Sequence, residues 1–179
     1  MTFAAHHRRL SGLGLTAVLL SGVSGCGKSE ELKIPGSICG RDIEPALLQQ
    51  LLPNGESFEA QQDSFIPVQE RCVLSVDNNR VLFINEYRDQ NHFDILKHFM
   101  EKRLDRNPEK STAAENSAIT DGEILAMTAC TKRGKGKNHL LHISIMGSLE
   151  ELKEKREELD RFAASYLPES RKEMGCTTT

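Results

Sequence analysis

The 179-residue chain has no tryptophan and few other aromatic residues, which argues against a broad stacking surface for sugars or single-stranded nucleic acid. It has no C-x-x-C pair and no histidine at zinc-finger spacing, so a structural metal centre is not expected. Basic charge is not in excess: the formal net charge of −3 speaks against a general nucleic-acid binder held by phosphate attraction. No apolar run reaches the roughly 20 residues that a membrane-spanning helix needs. Repeats and low-complexity blocks are missing as well. The 38 % of hydrophobic and 27 % of charged residues suit one domain with a modest core.

The first 26 residues have the polarity profile of an export signal. "MTFAAHHRR" is a short basic start, "LSGLGLTAVLLSGVSG" is an uncharged apolar run peppered with glycine and serine, and Cys26 then opens the polar "GKSEELK". Within this region "GVSGCGKS", Gly22 to Ser29, fits two incompatible motifs. One is the phosphate-cradling pattern G-x-x-x-x-G-K-[ST], in which Lys28 would reach the terminal phosphates and Ser29 would hold magnesium. The other is a cleavage site of small residues ending at a thiol.

Val23, Ser24, Gly25 and Cys26 resemble the lipobox of bacterial lipoproteins. That resemblance implies cleavage between Gly25 and Cys26 and a diacylglycerol on the Cys26 sulfur, with an N-linked acyl chain such as palmitate. It also implies display on the extracytoplasmic face of the cell membrane. The same stretch is similar to the "GVSGxGKS" of gluconate-kinase-like enzymes. Against that reading, the helix expected after Lys28 is cut by Pro35 and Gly36. The metal-carboxylate candidate Asp77 runs straight into "NN" and a new strand, as in a hairpin and not a parallel crossover. Export is therefore the preferred reading. Residues 1–25 are expected to be a removed signal peptide, 26–37 a lipidated tether, and 38–179 a single domain. Removing the leader takes Arg8 and Arg9 and no acid, so 23 basic against 26 acidic residues become 21 against 26.

Five cysteines are an awkward count for an exported chain until Cys26 is assigned to the lipid. Cys39, Cys72, Cys130 and Cys176 then suit two disulfides in an oxidising compartment. Three pairings are open. Cys39 with Cys72 and Cys130 with Cys176 are favoured, because each bond would join one end of a strand to a flanking segment. Each would contribute on the order of 3 to 4 kcal/mol in the chain-entropy model.

Periodicity gives the order α, β, β, α, β, β, β, α. "DIEPALLQQLLP" reads as a helix closing at Pro53. "CVLSV" and "RVLFINEY" flank "DNN" as a hairpin. "FDILKHFMEKRLDRN" places Phe93, Ile95, Leu96, Phe99, Met100 and Leu104 at helical spacing. "ENSAIT" and "EILAMTAC" flank Asp121-Gly122, a type I′ turn signal. "HLLHISIMG" alternates at Leu141, Ile143 and Ile145. A last helix, "SLEELKEKREELDRFAASYL", aligns Leu149, Leu152, Leu159, Phe162 and Tyr166. The expected fold is α+β, an antiparallel sheet of about four to five strands packed by about three helices. With a cysteine before the first helix, one opening the first strand and "GC" after the last helix, the layout resembles small exported lipoproteins of actinobacteria. That resemblance implies a PsbP/Mog1-like fold, in a family largely of unknown function, and carries over no catalytic residue.

Side chains with chemical potential are few. His139 and His142 stand three apart on a strand, so they face opposite sides and read as ordinary strand positions. His92, Asp94 and His98 cluster near a helix start, where an envelope hydrolase would need a serine beside them. No G-x-S-x-G accompanies them. Lys132, Arg133, Lys135 and Lys137 in "KRGKGK" concentrate positive charge on one loop and could bind an anion, against the simpler reading of a solvated hairpin loop. Glu151 with Lys155 and Glu157 with Arg161 form i,i+4 pairs on a helix surface. These features point to a lipid-anchored, non-catalytic binding module without a cofactor, whose partner is the membrane and an envelope protein or polyanion. A small phosphate-loop kinase and an envelope hydrolase are the alternatives.

Overall fold

The computed structural model describes residues 32–66, 68–102 and 106–176, without the side chains at 64–66 and 133. Cys26, the Gly25–Cys26 cleavage site, Lys28, Ser29 and the predicted stripe residue Leu104 lie outside the described residues.

A two-stranded ladder, β1 (Ser37–Ile38) with β2 (Arg41–Asp42), precedes α1 (Pro45–Leu51). The strands β3 (Phe58–Ile66), β4 (Gln69–Val76) and β5 (Asn79–Gln90) follow, then α2 (Ile95–Lys102). Next come β6 (Glu109–Lys110), β7 (Asn116–Thr120), β8 (Glu123–Ala129) and β9 (Asn138–Ile145), and finally α3 (Leu149–Glu154) and α4 (Arg156–Glu173). The main sheet has seven strands in the order β3-β4-β5-β9-β8-β7-β6, antiparallel throughout. The α+β class and antiparallel sheet agree with the sequence reading. Four to five strands and three helices do not: the sheet has seven strands and the described residues hold four helices.

Alternation along the strands supplies both sides of the sheet. Leu74, Leu82, Ile84, Ile124, Leu141 and Ile143 point to one face, where Leu48 and Leu51 of α1, Leu152 of α3, and Phe162 and Tyr166 of α4 cover them. On the opposite face Ile95 and Phe99 of α2 seal Ala118, Leu125, Met127 and Leu140. The molecule is thus three layers, with the sheet in the middle.

Several boundaries move for local reasons. α1 begins at Pro45 and not at Asp42, because Arg41–Asp42 pairs with β1 and the proline pre-sets the first helical turn. Leu32 is buried in the core and Ile34 packs against it, so the predicted tether of 26–37 merges into the domain from Leu32 onward. The type I′ turn sits at Asp77-Asn78, both with positive φ (50° and 63°). At Asp121-Gly122 the glycine alone is positive, at 84°. There the Asp121 carboxylate accepts from Arg156 Nε and Nη2 (3.1 and 2.6 Å), and a Cβ on Gly122 would meet Leu152 at 2.8 Å.

The predicted last helix is two helices, broken at Lys155, whose Nζ donates to the Leu51 carbonyl at 2.8 Å. α4 runs on through Pro168 to Glu173. Leu149, placed on the buried stripe from its spacing, is 56 % exposed at the start of α3. Neither predicted i,i+4 pair closes: Glu151 Oε2 accepts from Ser148 in a capping box, and Arg161 bonds Glu158 and Gln50. Cys39–Cys72 and Cys130–Cys176 are disulfide-bonded, with Cα separations of 5.8 and 4.4 Å. The first ties the β1–β2 ladder to β4, and the second pins the end of α4 to the end of β8.

Candidate binding groove

α2 is only eight residues long and packs mainly on β7 and β8, and a groove runs between its flank and the neighbouring β9 and β5. Its position is fixed at the N-terminus. Asp94 Oδ1 accepts from the Lys97 amide (2.9 Å), Ile95 N–H donates to Asn116 Oδ1 (3.2 Å), and Asn116 Nδ2 donates to the Phe93 carbonyl (2.8 Å). Between this helix and the open strands lies a groove of about 580 Å³, within the size range of small-molecule sites.

The groove floor is apolar: Leu125 and Leu140 from the sheet, flanked by the rings of Tyr87, Phe93 and Phe99. The chain holds seven Phe and two Tyr, so a third of them gather here, in a narrow groove and not in the broad stacking surface that the composition argued against. The rim is polar. At one end His142 Nε2 and Glu123 Oε1 stand 2.8 Å apart, a closed pair on adjacent strands. Along the helix flank His98 and Lys102, four residues apart, share one side. The His98 ring lies against Phe93 with centroids 5.4 Å apart.

A second cavity, about 550 Å³, lies on the other flank of α2 and includes His92, Asp94, Asn116, Ser117, Thr128 and Asn138. Most of its polar groups are already engaged. Asp94 caps the helix, Asn116 holds Phe93 and Ile95, and Asn138 Nδ2 ties the Gln90 and Gly136 carbonyls. Ser117 Oγ is bonded within its own loop, to the carbonyls of Ser111 and Ala114 and the amide of Ala114. His92 and Asp94 line this cavity and His98 lines the first one. His92 and Asp94 thus share a cavity with Ser117, but Ser117 Oγ hydrogen-bonds neither of them, so no nucleophile–base pair forms there among the described residues.

His139 and His142 face opposite sides of β9, as their spacing requires. His139 is fully buried on the α4 side, with Nε2 2.9 Å from Ser170 Oγ. Burial, helped by the positive charges of Arg171 and Arg41, holds its pKa down at about 4, so it is neutral at pH 7. Nearby, a buried polar cluster not anticipated from the sequence spans β2, β4 and β5. Arg41 Nη2 meets Glu86 Oε2 at 2.5 Å and Glu70 Oε2 at 2.6 Å, while Nη1 donates to the Cys39 carbonyl. Burial raises the Glu86 pKa even though Arg41 opposes it. Glu86, close behind the apolar run "VLFI" of β5, was the available signal.

The basic loop of Lys132, Arg133, Lys135 and Lys137 opens with a single 3-10 turn, Thr131–Arg133. Its amides at Gly134 and Lys137 donate to the carbonyls of Thr131 and Gly134, so neither is presented to an anion. Lys137 Nζ reaches the Asp89 carbonyl at 3.5 Å. Asp77, the metal-carboxylate candidate, accepts three hydrogen bonds through Oδ1 from Glu56 and Ser57. Those bonds lower its pKa and commit it to fixing the hairpin. No group of His, Cys, Asp and Glu among the described residues could hold a metal ion, and no helix among them is long and apolar enough to cross a membrane.

The groove had a legible trace. "ILAM" in β8 and "LLHI" in β9 are apolar on both faces, the pattern of strands covered on two sides. No protein-family model, no curated protein and no solved structure matches this chain.

Proposed function

We propose that the protein is a lipid-anchored binding module of the cell envelope, tethered through Cys26 to the outer side of the cytoplasmic membrane and holding its ligand in the groove beside α2. The observation that carries this reading is the use of the cysteines. Two intrachain disulfides account for Cys39, Cys72, Cys130 and Cys176, and the fifth, Cys26, stands at the lipobox-like "VSGC". Such bonds persist in oxidising compartments, where an exported domain would meet them.

The tether is short on this reading. Gly27 to Glu31 separate Cys26 from the buried Leu32, so at full extension they span only about 20 Å. A module held that close to a bilayer has a high effective concentration for membrane-borne ligands. The groove supplies an apolar floor with a polar rim and no assembled nucleophile, an arrangement suited to holding a ligand rather than transforming it.

Intact mass spectrometry of the membrane fraction from an exporting bacterial host tests the reading, wild type beside Cys26→Ser. The expected product begins at Cys26, carries diacylglycerol, gains four hydrogens on reduction, and is absent from the variant. An intact, unlipidated chain with free thiols would overturn it.

A further inference from the structure

We infer that the groove between α2, β5, β8 and β9 binds a single-chain anionic amphiphile, with the chain on Leu125 and Leu140 and the head group at Lys102. This deepens the binding-module reading above and rests on it. The floor offers no donor or acceptor to a sugar ring, and the side walls are the rings of Tyr87, Phe93 and Phe99. A slot of about 580 Å³ with such walls suits one extended apolar chain. The groove lies on the face of the sheet and not at its edge strand, so it does not invite strand addition by a peptide.

The sign of the head group follows from the rim. Glu123 and His142 already engage each other, so that end presents no open carboxylate to a cation. Lys102 is exposed at the other side and has no hydrogen-bond or ion-pair partner among the described residues. Its ammonium sits on the same flank as His98, over the apolar floor. An unpaired cation beside an apolar slot, in a protein of net negative charge, is complementary to a carboxylate or phosphate carried on an acyl chain. A free fatty acid combines such a head group with a single chain.

The test uses the full lipidated chain in nanodiscs with three photoreactive probes: a diazirine dodecanoic acid, the corresponding dodecanol, and a diazirine phosphatidylglycerol. Crosslinked peptides are located by mass spectrometry. The expected result is labelling by the acid within β8 and β9 around Leu125 and Leu140, about fivefold weaker in Lys102→Met and unchanged in Lys132→Met. Competition by unlabelled octanoate, decanoate and dodecanoate should strengthen by up to roughly fourfold per added methylene. Labelling by the phosphatidylglycerol as strong as by the acid would show that a two-chain membrane lipid is taken up, and would overturn the single-chain assignment. Labelling by dodecanol as strong as by the acid, or labelling indifferent to Lys102, would overturn the assignment. A lipidated, disulfide-bonded chain that takes no label in the groove would overturn it too and leave the anchor standing, because the intact mass of the same sample reports the anchor independently.

Discussion

On one side of the sheet, α1, α3 and α4 bury a continuous apolar layer and enclose the Arg41–Glu86 pair, with a disulfide at each end of the layer. On the other side a single eight-residue helix covers β7 and β8 and leaves an aromatic-walled groove beside it. The strands are shared, so the contrast lies in what packs on them. Leu141 and Ile143 are sealed under α4, while Leu140 and His142, which alternate with them, line the groove. The first side is where stability resides, and the second has apolar surface left over for a ligand. Substitutions should divide along the same line.

The largest effect is expected at Arg41. Replacing it by methionine leaves Glu86 buried without its counter-charge, and loss of one partner of a buried pair costs about 3 to 5 kcal/mol. Urea denaturation should show that loss, and the double variant Arg41→Met/Glu86→Leu should recover most of it. A double variant as unstable as the single would mean that Arg41 acts through packing or through Glu70 and not through the pair. A comparison of the faces comes next. Phe162→Ala on the sealed side should cost about 3 to 4 kcal/mol. Phe93→Ala, half-buried at the groove, should cost about 1 kcal/mol while changing the occupancy of the groove. Equal losses at the two positions would erase the distinction.

How much of this was legible depended on whether the cause was local. β4, β5, β7, β8 and β9 announced themselves through apolar alternation and turn residues, and of three open disulfide pairings the one favoured from where the cysteines flank the strands is the one found. β3 did not: "FEAQQDSFI" turns Phe58 and Ala60 to the core side, opposite Val76 and Leu74, before Gln62 interrupts the alternation, so the apolar period on this edge strand was too short to read. The break between α3 and α4 is equally invisible along the chain, because the Lys155 ammonium is held by the Leu51 carbonyl, 104 residues away. The stretch read as the last helix stops at Leu167, whereas α4 runs on through Pro168 to Glu173; Ser170 and Cys176 are held by His139 and Cys130. The groove collects residues from four elements, so spacing showed its apolar strands and not its shape. His92, Asp94 and His98 looked grouped in sequence, but no one cavity gathers all three: Asp94 shares one with His92 and another with His98.

A smaller and slower loss should appear with pH, again on the sealed side. His139 is buried among Ser170, Arg171 and Arg41, and its folded pKa of about 4 lies below its ordinary 6.5. Between those values the unfolded chain takes up a proton that the folded one refuses. Stability is therefore complete above about pH 6.5 and falls as the pH drops toward 4, by up to about 3 kcal/mol. Glu86, with its pKa raised by burial, contributes a slope of the opposite sign in the acid range, so the histidine has to be isolated by substitution. His139→Gln keeps a hydrogen-bonding group toward Ser170 and removes the proton uptake. Its stability should vary less between pH 6.5 and 4 than that of the wild type, as read by urea denaturation at each pH. If the variant keeps the wild-type slope, the acid sensitivity does not originate at His139, and burial on that face is not what sets it.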